Sequence, residues 1–143
     1  MKLILVRHGE VVDGTNSALT QRGIKQVKCL AQKLSRENID IVYSSDLERT
    51  RETAQAINKK IKKIVHYTNL LREVPDDLVD DIKKNWRNVR ENNKRLKEID
   101  HFLKTLWKKY KKKTILLVAH SKTNKVITSI LLHLDPHDLT FFM

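Results

Sequence analysis

Near the start of the chain, Leu3-Ile4-Leu5-Val6 forms an unbroken apolar run that stops abruptly at Arg7-His8-Gly9-Glu10. A short run without polar alternation reads as a strand buried on both faces, as in a parallel sheet covered by helices. A strand that ends in a guanidinium, an imidazole and a glycine delivers functional groups to the carboxyl edge of its sheet. In open α/β sheets that edge is where ligands bind.

The pattern recurs. Ile39-Asp40-Ile41-Val42-Tyr43 reads as a second short strand and runs into Ser44-Ser45-Asp46-Leu47-Glu48-Arg49. A third strand lies within Ile61 to Tyr67, and Thr114-Ile115-Leu116-Leu117-Val118-Ala119 is a fourth, ending at His120-Ser121-Lys122. Helical stretches fill the intervals. Thr20 is placed as an N-cap, and Ile24, Val27, Ala31 and Leu34 recur at helical spacing up to a stop at Glu37-Asn38. Cys29 falls within this helix and is expected to be a structural thiol. A second helix is predicted over Leu47 to Lys59, with Thr53, Ala54 and Ile57 facing inward. Arg49 sits in its first turn, where a cation opposes the helix dipole unless an anion is held there. Pro75 opens a long helical region. From Leu78 to Tyr110 the apolar positions predict one long helix, or two with a bend near Asn92-Asn93. The last helix carries Val126, Ile127, Ile130, Leu131 and Leu134 on its core face and is ended by Pro136. Asp138 to Met143 reads as a short edge strand or a frayed end.

Strands alternating with helices imply right-handed crossovers and strands running one way. The expected fold is α/β: a three-layer α/β/α sandwich with a mostly parallel central sheet. It forms one domain over residues 1–143, with a helical insert at about 76–111. In such a sheet Arg7, His8, Ser44, Ser45, Arg49 and His120 converge, although they are far apart in sequence.

Composition narrows the chemistry. With 29 Lys and Arg against 17 Asp and Glu, the net charge of +12 favours anionic ligands. One cysteine excludes an intrachain disulfide or a multi-cysteine metal site and points to a reducing compartment. Without a signal peptide or an apolar run long enough to span a bilayer, a cytoplasmic protein with no membrane partner is expected. Two imidazoles with two guanidiniums suit no metal, because arginine repels one. His133 and His137 are four apart but separated by Pro136, and with His66 and His101 they read as surface residues.

The same groups suit a phosphoryl group. Arg7 and Arg49 can bind its oxygens in forked geometry. One neutral imidazole can attack phosphorus. A second, protonated imidazole can hold an equatorial oxygen. A carboxylic acid can protonate the leaving oxygen and later deprotonate a water.

These segments resemble the histidine phosphatase (phosphoglycerate mutase-like) superfamily. Arg7-His8-Gly9-Glu10 after the first strand is similar to its signature. Ala18-Leu19-Thr20-Gln21-Arg22-Gly23 resembles its first helix start, and Ser44-Ser45-Asp46-Leu47-Glu48-Arg49 its second motif. Leu71-Arg72-Glu73 and Val118-Ala119-His120 follow in the family's order. The resemblance implies His8 as nucleophile and phosphohistidine carrier. It implies Arg7, Arg49 and His120 as the phosphate pocket, helped by Ser121 and Asn16, and Glu73 as general acid and base. Asp76 or Asp77 are the alternative proton donors. No metal or organic cofactor is implied.

The expected function is metal-independent hydrolysis of phosphomonoesters, with a small, acidic phosphorylated substrate. Two other readings compete. One is phosphoglycerate mutase-type phosphotransfer at the same site. The other is a basic polyanion-binding module with a degenerate site, resting on Lys59-Lys60-Ile61-Lys62-Lys63 and Lys108-Lys109-Tyr110-Lys111-Lys112-Lys113. Charge alone gives only unspecific binding, so nucleic acid is not the expected partner.

Overall fold

A computed structural model describes residues 1–12 and 17–133. Asn16, Leu134, Pro136, His137 and the segment 138–143 lie outside the described residues, and with them the expectations placed there. The strands are β1 (Lys2–Arg7), β2 (Ile41–Ser45), β3 (Val65–Thr68) and β4 (Thr114–Ala119). They form one four-stranded sheet in the order β1-β4-β2-β3, with every pairing parallel. Helices α1 (Gln21–Leu34) and α2 (Glu48–Ile61) cover one face. Helices α3 (Asp76–Lys84), α4 (Trp86–Asn92), α5 (Lys94–Lys109) and α6 (Ser121–Leu132) cover the other.

Central β4 explains its own sequence. Leu116 and Val118 pack with Val27, Ala31, Ala54 and Ile57 on one face. Ile115, Leu117 and Ala119 pack with Leu103, Leu106, Val126 and Ile127 on the other. Residues 115–119 are all 0% exposed, so no polar alternation can appear. Each Leu or Ile buried there contributes about 1.5–3 kcal/mol.

Four local expectations need correction. Cys29 is exposed, because two residues past buried Val27 is over half a turn round the helix. Leu131 is 40% exposed, one step round from buried Ile130 at the end of α6. Ile61 closes α2, and Lys62 caps it at φ 52, so β3 starts later, at Val65. The long amphipathic region is three helices. Asn93 caps α5 by accepting the Leu96 N–H, as the bend near Asn92-Asn93 anticipates. A second break falls at Asn85, whose side chain accepts the Asn88 N–H. An asparagine is a favoured N-cap, and that signal was available in the sequence.

Glu10, just after β1, is fixed against the start of α1. Thr20 caps α1 by accepting the Gly23 N–H at 2.9 Å, while its hydroxyl donates to the Glu10 carboxylate at 2.9 Å. The Glu10 N–H reaches Gln26 Oε1 at 3.0 Å, and its carbonyl accepts the Thr20 N–H at 2.9 Å. Glu10 therefore anchors the loop that carries His8. Gly23 makes the approach possible, since a Cβ there would lie 2.2 Å from the Glu10 carbonyl oxygen.

Gly23→Ala sets two effects against each other. Alanine gains about 1 kcal/mol of helix propensity. Forcing two backbone segments apart costs about 1–3 kcal/mol, or more where neither can move. The clash is with backbone, so the expected outcome is a lower urea midpoint; an unchanged or higher midpoint contradicts this account of the loop.

Candidate active site

The register of the sheet brings the site together. Arg7 pairs with Ala119 across β1 and β4, and the His8 N–H continues the ladder to the Ala119 carbonyl at 3.1 Å. The next residues, His8 and His120, therefore stand side by side, with ring centroids 5.2 Å apart and planes at 61°. Neighbouring β2 pairs Ser44 with Val118, which puts Ser45 beside the same end.

The His8 ring has a defined tautomer. Its Nδ1 lies 2.7 Å from the Gly9 carbonyl, which can only accept, so Nδ1 carries the proton. The Nε2 lone pair faces Arg49, whose Nε donates to it at 3.2 Å. Arg49 is 7% exposed in the first turn of α2. Its helix is tied to the loop through Thr53, whose hydroxyl donates to the Arg49 carbonyl at 2.7 Å and accepts the Gly9 N–H at 3.1 Å. Arg7 is more exposed, and its charge acts on His8, Arg49 and His120.

Burial pushes the His8 pKa down to about 4, and the charges of Arg49 and Arg7 push the same way against the Gly9 hydrogen bond. His120 is 0% exposed, and its pKa is down to about 3. Desolvation is the main cause, followed by Arg49, His8 and Arg7. In the protein alone, burial and the neighbouring cations thus favour the neutral form of His120 at pH 7. Its Nε2 is 3.1 Å from Ser45 Oγ, and its Nδ1 is buried with no hydrogen-bond partner among the described residues.

Glu73 follows the 3₁₀ turn Asn69–Leu71 and is half-buried against the start of α6. Its Oε1 accepts the Lys122 N–H at 3.1 Å and the Thr123 N–H at 3.2 Å. Burial raises its pKa, outweighing these amides and the charges of Lys122 and Arg49. Ser121 is the first residue of α6, at the head of the N–H groups a helix leaves open. The alternative donors stand apart. Asp76 is exposed and paired with Lys122 Nζ. Asp77 is exposed and accepts the Leu78 N–H at 2.8 Å.

Several residues without an assigned role hold this arrangement. Asp46 takes a forked pair from Arg72, Nε to Oδ1 at 2.7 Å and Nη2 to Oδ2 at 2.6 Å, joining the β2 loop to the segment that carries Glu73. Thr123 Oγ1 donates to the Arg72 carbonyl at 2.9 Å and accepts the Val74 N–H at 3.1 Å, gripping Glu73 from both sides. The sequence signals were weak: inward hydroxyls at Ser45 and Thr53, and charges flanking motif residues. Of the remaining histidines, His66, His101 and His133 are exposed and away from the cluster. Among the described residues no three His, Cys, Asp or Glu side chains group as a metal site. No described helix is long and apolar enough to cross a membrane.

Comparison with known proteins agrees with this geometry. The family model of the histidine phosphatase superfamily (branch 1) matches residues 3–142. Phosphoserine phosphatase 1 of Hydrogenobacter thermophilus is 30% identical over 167 residues, which cover 94% of this chain and 78% of that protein. A probable phosphoglycerate mutase of Serratia proteamaculans is 42% identical over 65 residues, 40% of this chain and 30% of that one. Among solved structures, the phosphoserine phosphatase of Entamoeba histolytica in complex with 3-phosphoglyceric acid superimposes with a TM-score of 0.73 at 27% identity, covering 98% of this chain and 85% of the other. The family model spans nearly the whole length of the sequence, and the chain belongs to the histidine phosphatase superfamily (branch 1).

Proposed function

We propose that this protein hydrolyses small phosphomonoesters without a metal, through a phosphohistidine on His8. Its long-range relatives support phosphatase activity in general. The finer reading is carried by one observation: Nδ1 of His8 is held by the Gly9 carbonyl, which leaves the Nε2 lone pair facing the cationic seat. A pKa of about 4 keeps that lone pair available at neutral pH.

The steps follow from the groups present. Arg7 and Arg49 draw the phosphoryl dianion between the imidazoles. Nε2 of His8 attacks phosphorus while the bond to the leaving oxygen breaks, and that oxygen takes the Glu73 proton. The Glu73 carboxylate then takes a proton from water as its oxygen attacks phosphorus. The P–N bond breaks, the lone pair returns to Nε2, and inorganic phosphate leaves. His120 faces the equatorial oxygens, and their negative charge favours its taking a proton there.

Hydrolysis is preferred over mutase-type transfer because the phosphatase relative aligns over 78% of its length and the mutase relative over 30%. Release of phosphate from 3-phosphoglycerate, without formation of the 2-isomer, distinguishes the two. The reading as a polyanion-binding module has less support, because a neutral pair of one half-buried and one buried histidine near a raised-pKa carboxyl is arranged for chemistry rather than for charge.

Three outcomes are expected. His8→Ala lowers phosphate release by at least about 10³-fold and removes the acid-labile phosphoenzyme seen after a rapid quench; full activity in that variant removes His8 from the reaction. Glu73→Gln slows alkyl phosphates far more than p-nitrophenyl phosphate, whose leaving group needs little help from an acid. If Asp76→Asn shows that pattern instead, the proton donor is Asp76. Finally, His8 and His120 have folded pKa values below the unfolded value of 6.5, so between pH 6.5 and about 4 the unfolded chain binds more protons. Stability should therefore fall as pH drops through that window, followed by urea midpoints. A His8→Ala, His120→Asn double variant should lose less over the same range, and an equal loss would show that other groups dominate.

A further inference from the structure

All four strands run parallel, so their amino ends share one edge of the sheet, opposite the edge that carries His8 and His120. The segments entering the strands meet there. The Lys2 N–H donates to the Lys113 carbonyl at 2.9 Å, the Asp40 N–H to the Thr114 carbonyl at 2.9 Å and the Val42 N–H to the Ile64 carbonyl at 3.1 Å. The side chains of these segments are mostly cationic and exposed. Lys2 opens β1, Lys111, Lys112 and Lys113 lead into β4, and Lys62 and Lys63 precede β3. Helices α2 and α5 end at the same edge, with two lysines in the last turn of each. The entering segments hold two carboxylates, and both are taken. Glu37 pairs with Lys2, and Asp40 pairs with Lys113 at 3.0 Å while accepting the Thr114 N–H at 2.8 Å. Most of the net charge of +12 therefore lies along one edge.

Lysines at helix C-termini complement the macrodipole. That accounts for the last turns of α2 and α5 but not for Lys2, Lys63 or the run 111–113. Two large apolar side chains stand among these cations. Ile64, between Lys63 and β3, is 70% exposed, and Trp107, in the last turn of α5, is 56% exposed. Either one alone would call for no explanation. Set in a cationic edge, they can enter the apolar boundary of a headgroup layer while flexible lysines reach its phosphates. Four strands at about 4.8 Å spacing give this edge a front of about 14 Å, with a helix layer on each side.

A nucleic acid fits this edge less well. Its phosphates are bound best by the forked guanidinium, whereas the entering segments hold five exposed lysines beyond β1 and only Arg36 among arginines. A platform for single strands needs several aromatic faces, and Trp107 is the one exposed ring in these segments and last turns. A bilayer surface needs neither, because its charge is diffuse and its interface accepts apolar side chains.

We propose that the amino edge of the sheet docks this protein on an anionic phospholipid surface, with its lysines at the headgroups and Ile64 and Trp107 in the interface. The edge with His8 and His120 then faces away from the bilayer, open to a water-soluble substrate. The expected absence of a membrane partner rested on the lack of a spanning segment, and docking by an edge needs none.

Flotation with vesicles tests it. At about 0.15 M salt the protein should float with phosphatidylcholine vesicles containing about 30% phosphatidylserine, and not with phosphatidylcholine alone. A Lys62→Gln, Lys63→Gln, Lys111→Gln, Lys112→Gln variant should partition at least about 30-fold more weakly. The same charge change away from the edge, at Lys25, Lys28, Lys94 and Lys97, should weaken partitioning by less than about threefold. Because Trp86 is 9% exposed, a blue shift of tryptophan emission on adding the anionic vesicles reports Trp107. Urea midpoints check that each variant folds. No flotation with the anionic vesicles, or equal losses in the two quadruple variants, overturns the proposal. Retention on a uridine oligonucleotide but not on the vesicles assigns the edge to nucleic acid and overturns it too. Release of phosphate from p-nitrophenyl phosphate should be unchanged in both variants, so the docking proposal and the phosphatase reading stand or fall separately.

Discussion

Parallel pairing of β1 with β4 is the constraint on which the site depends. Arg7 opposite Ala119 puts the two following residues, His8 and His120, at adjacent positions on one edge. The register cannot slip by one residue. A slip would turn Leu116 and Val118 away from α1 and α2 and reverse every buried side chain of β4. The packing that makes the sheet stable therefore also fixes the distance between the imidazoles. No interaction between the rings is needed to hold them together.

That placement carries an electrostatic cost. A buried guanidinium, a more exposed one and two imidazoles share one small volume, with the carboxyl groups of Glu73 and Asp46 acting on it. The protein limits the cost by leaving both imidazoles neutral, and their depressed pKa values record it. A dianion would reverse the balance, because its charge offsets that of the guanidiniums and favours a proton on each imidazole. The positive potential of these groups is what the proposed phosphoryl seat would draw on.

Glu73 shows how a carboxyl group can be positioned by a helix that it does not belong to. Two amides of α6 hold its Oε1, and the Asp46–Arg72 pair fixes the backbone just before it. Glu73 and His120 are therefore both referenced to the start of α6, with His120 as its N-cap residue. A shift of that helix would move both groups together, which keeps their spacing to each other.

Much of this was legible along the chain. Apolar runs ending in Arg7-His8 and His120 marked buried parallel strands, and Thr20 and Asn93 marked helix starts, because each of those signals is local in sequence. The break at Asn85, the exposure of Cys29 and Leu131 and the late start of β3 depend on how a helix is rotated against its neighbours, and periodicity fixes that only approximately. By itself the sequence determined the alternation of strands and helices and the identity of the groups at the strand ends, since backbone period and side-chain chemistry are properties of each segment. Only the tertiary structure decided that Ser45 faces His120, that Arg72 grips Asp46, that both imidazoles are neutral and that Arg95 and Asp77 share a pocket. Those facts depend on burial and on distances between segments 18 to 75 residues apart, which arise only once the sheet has closed.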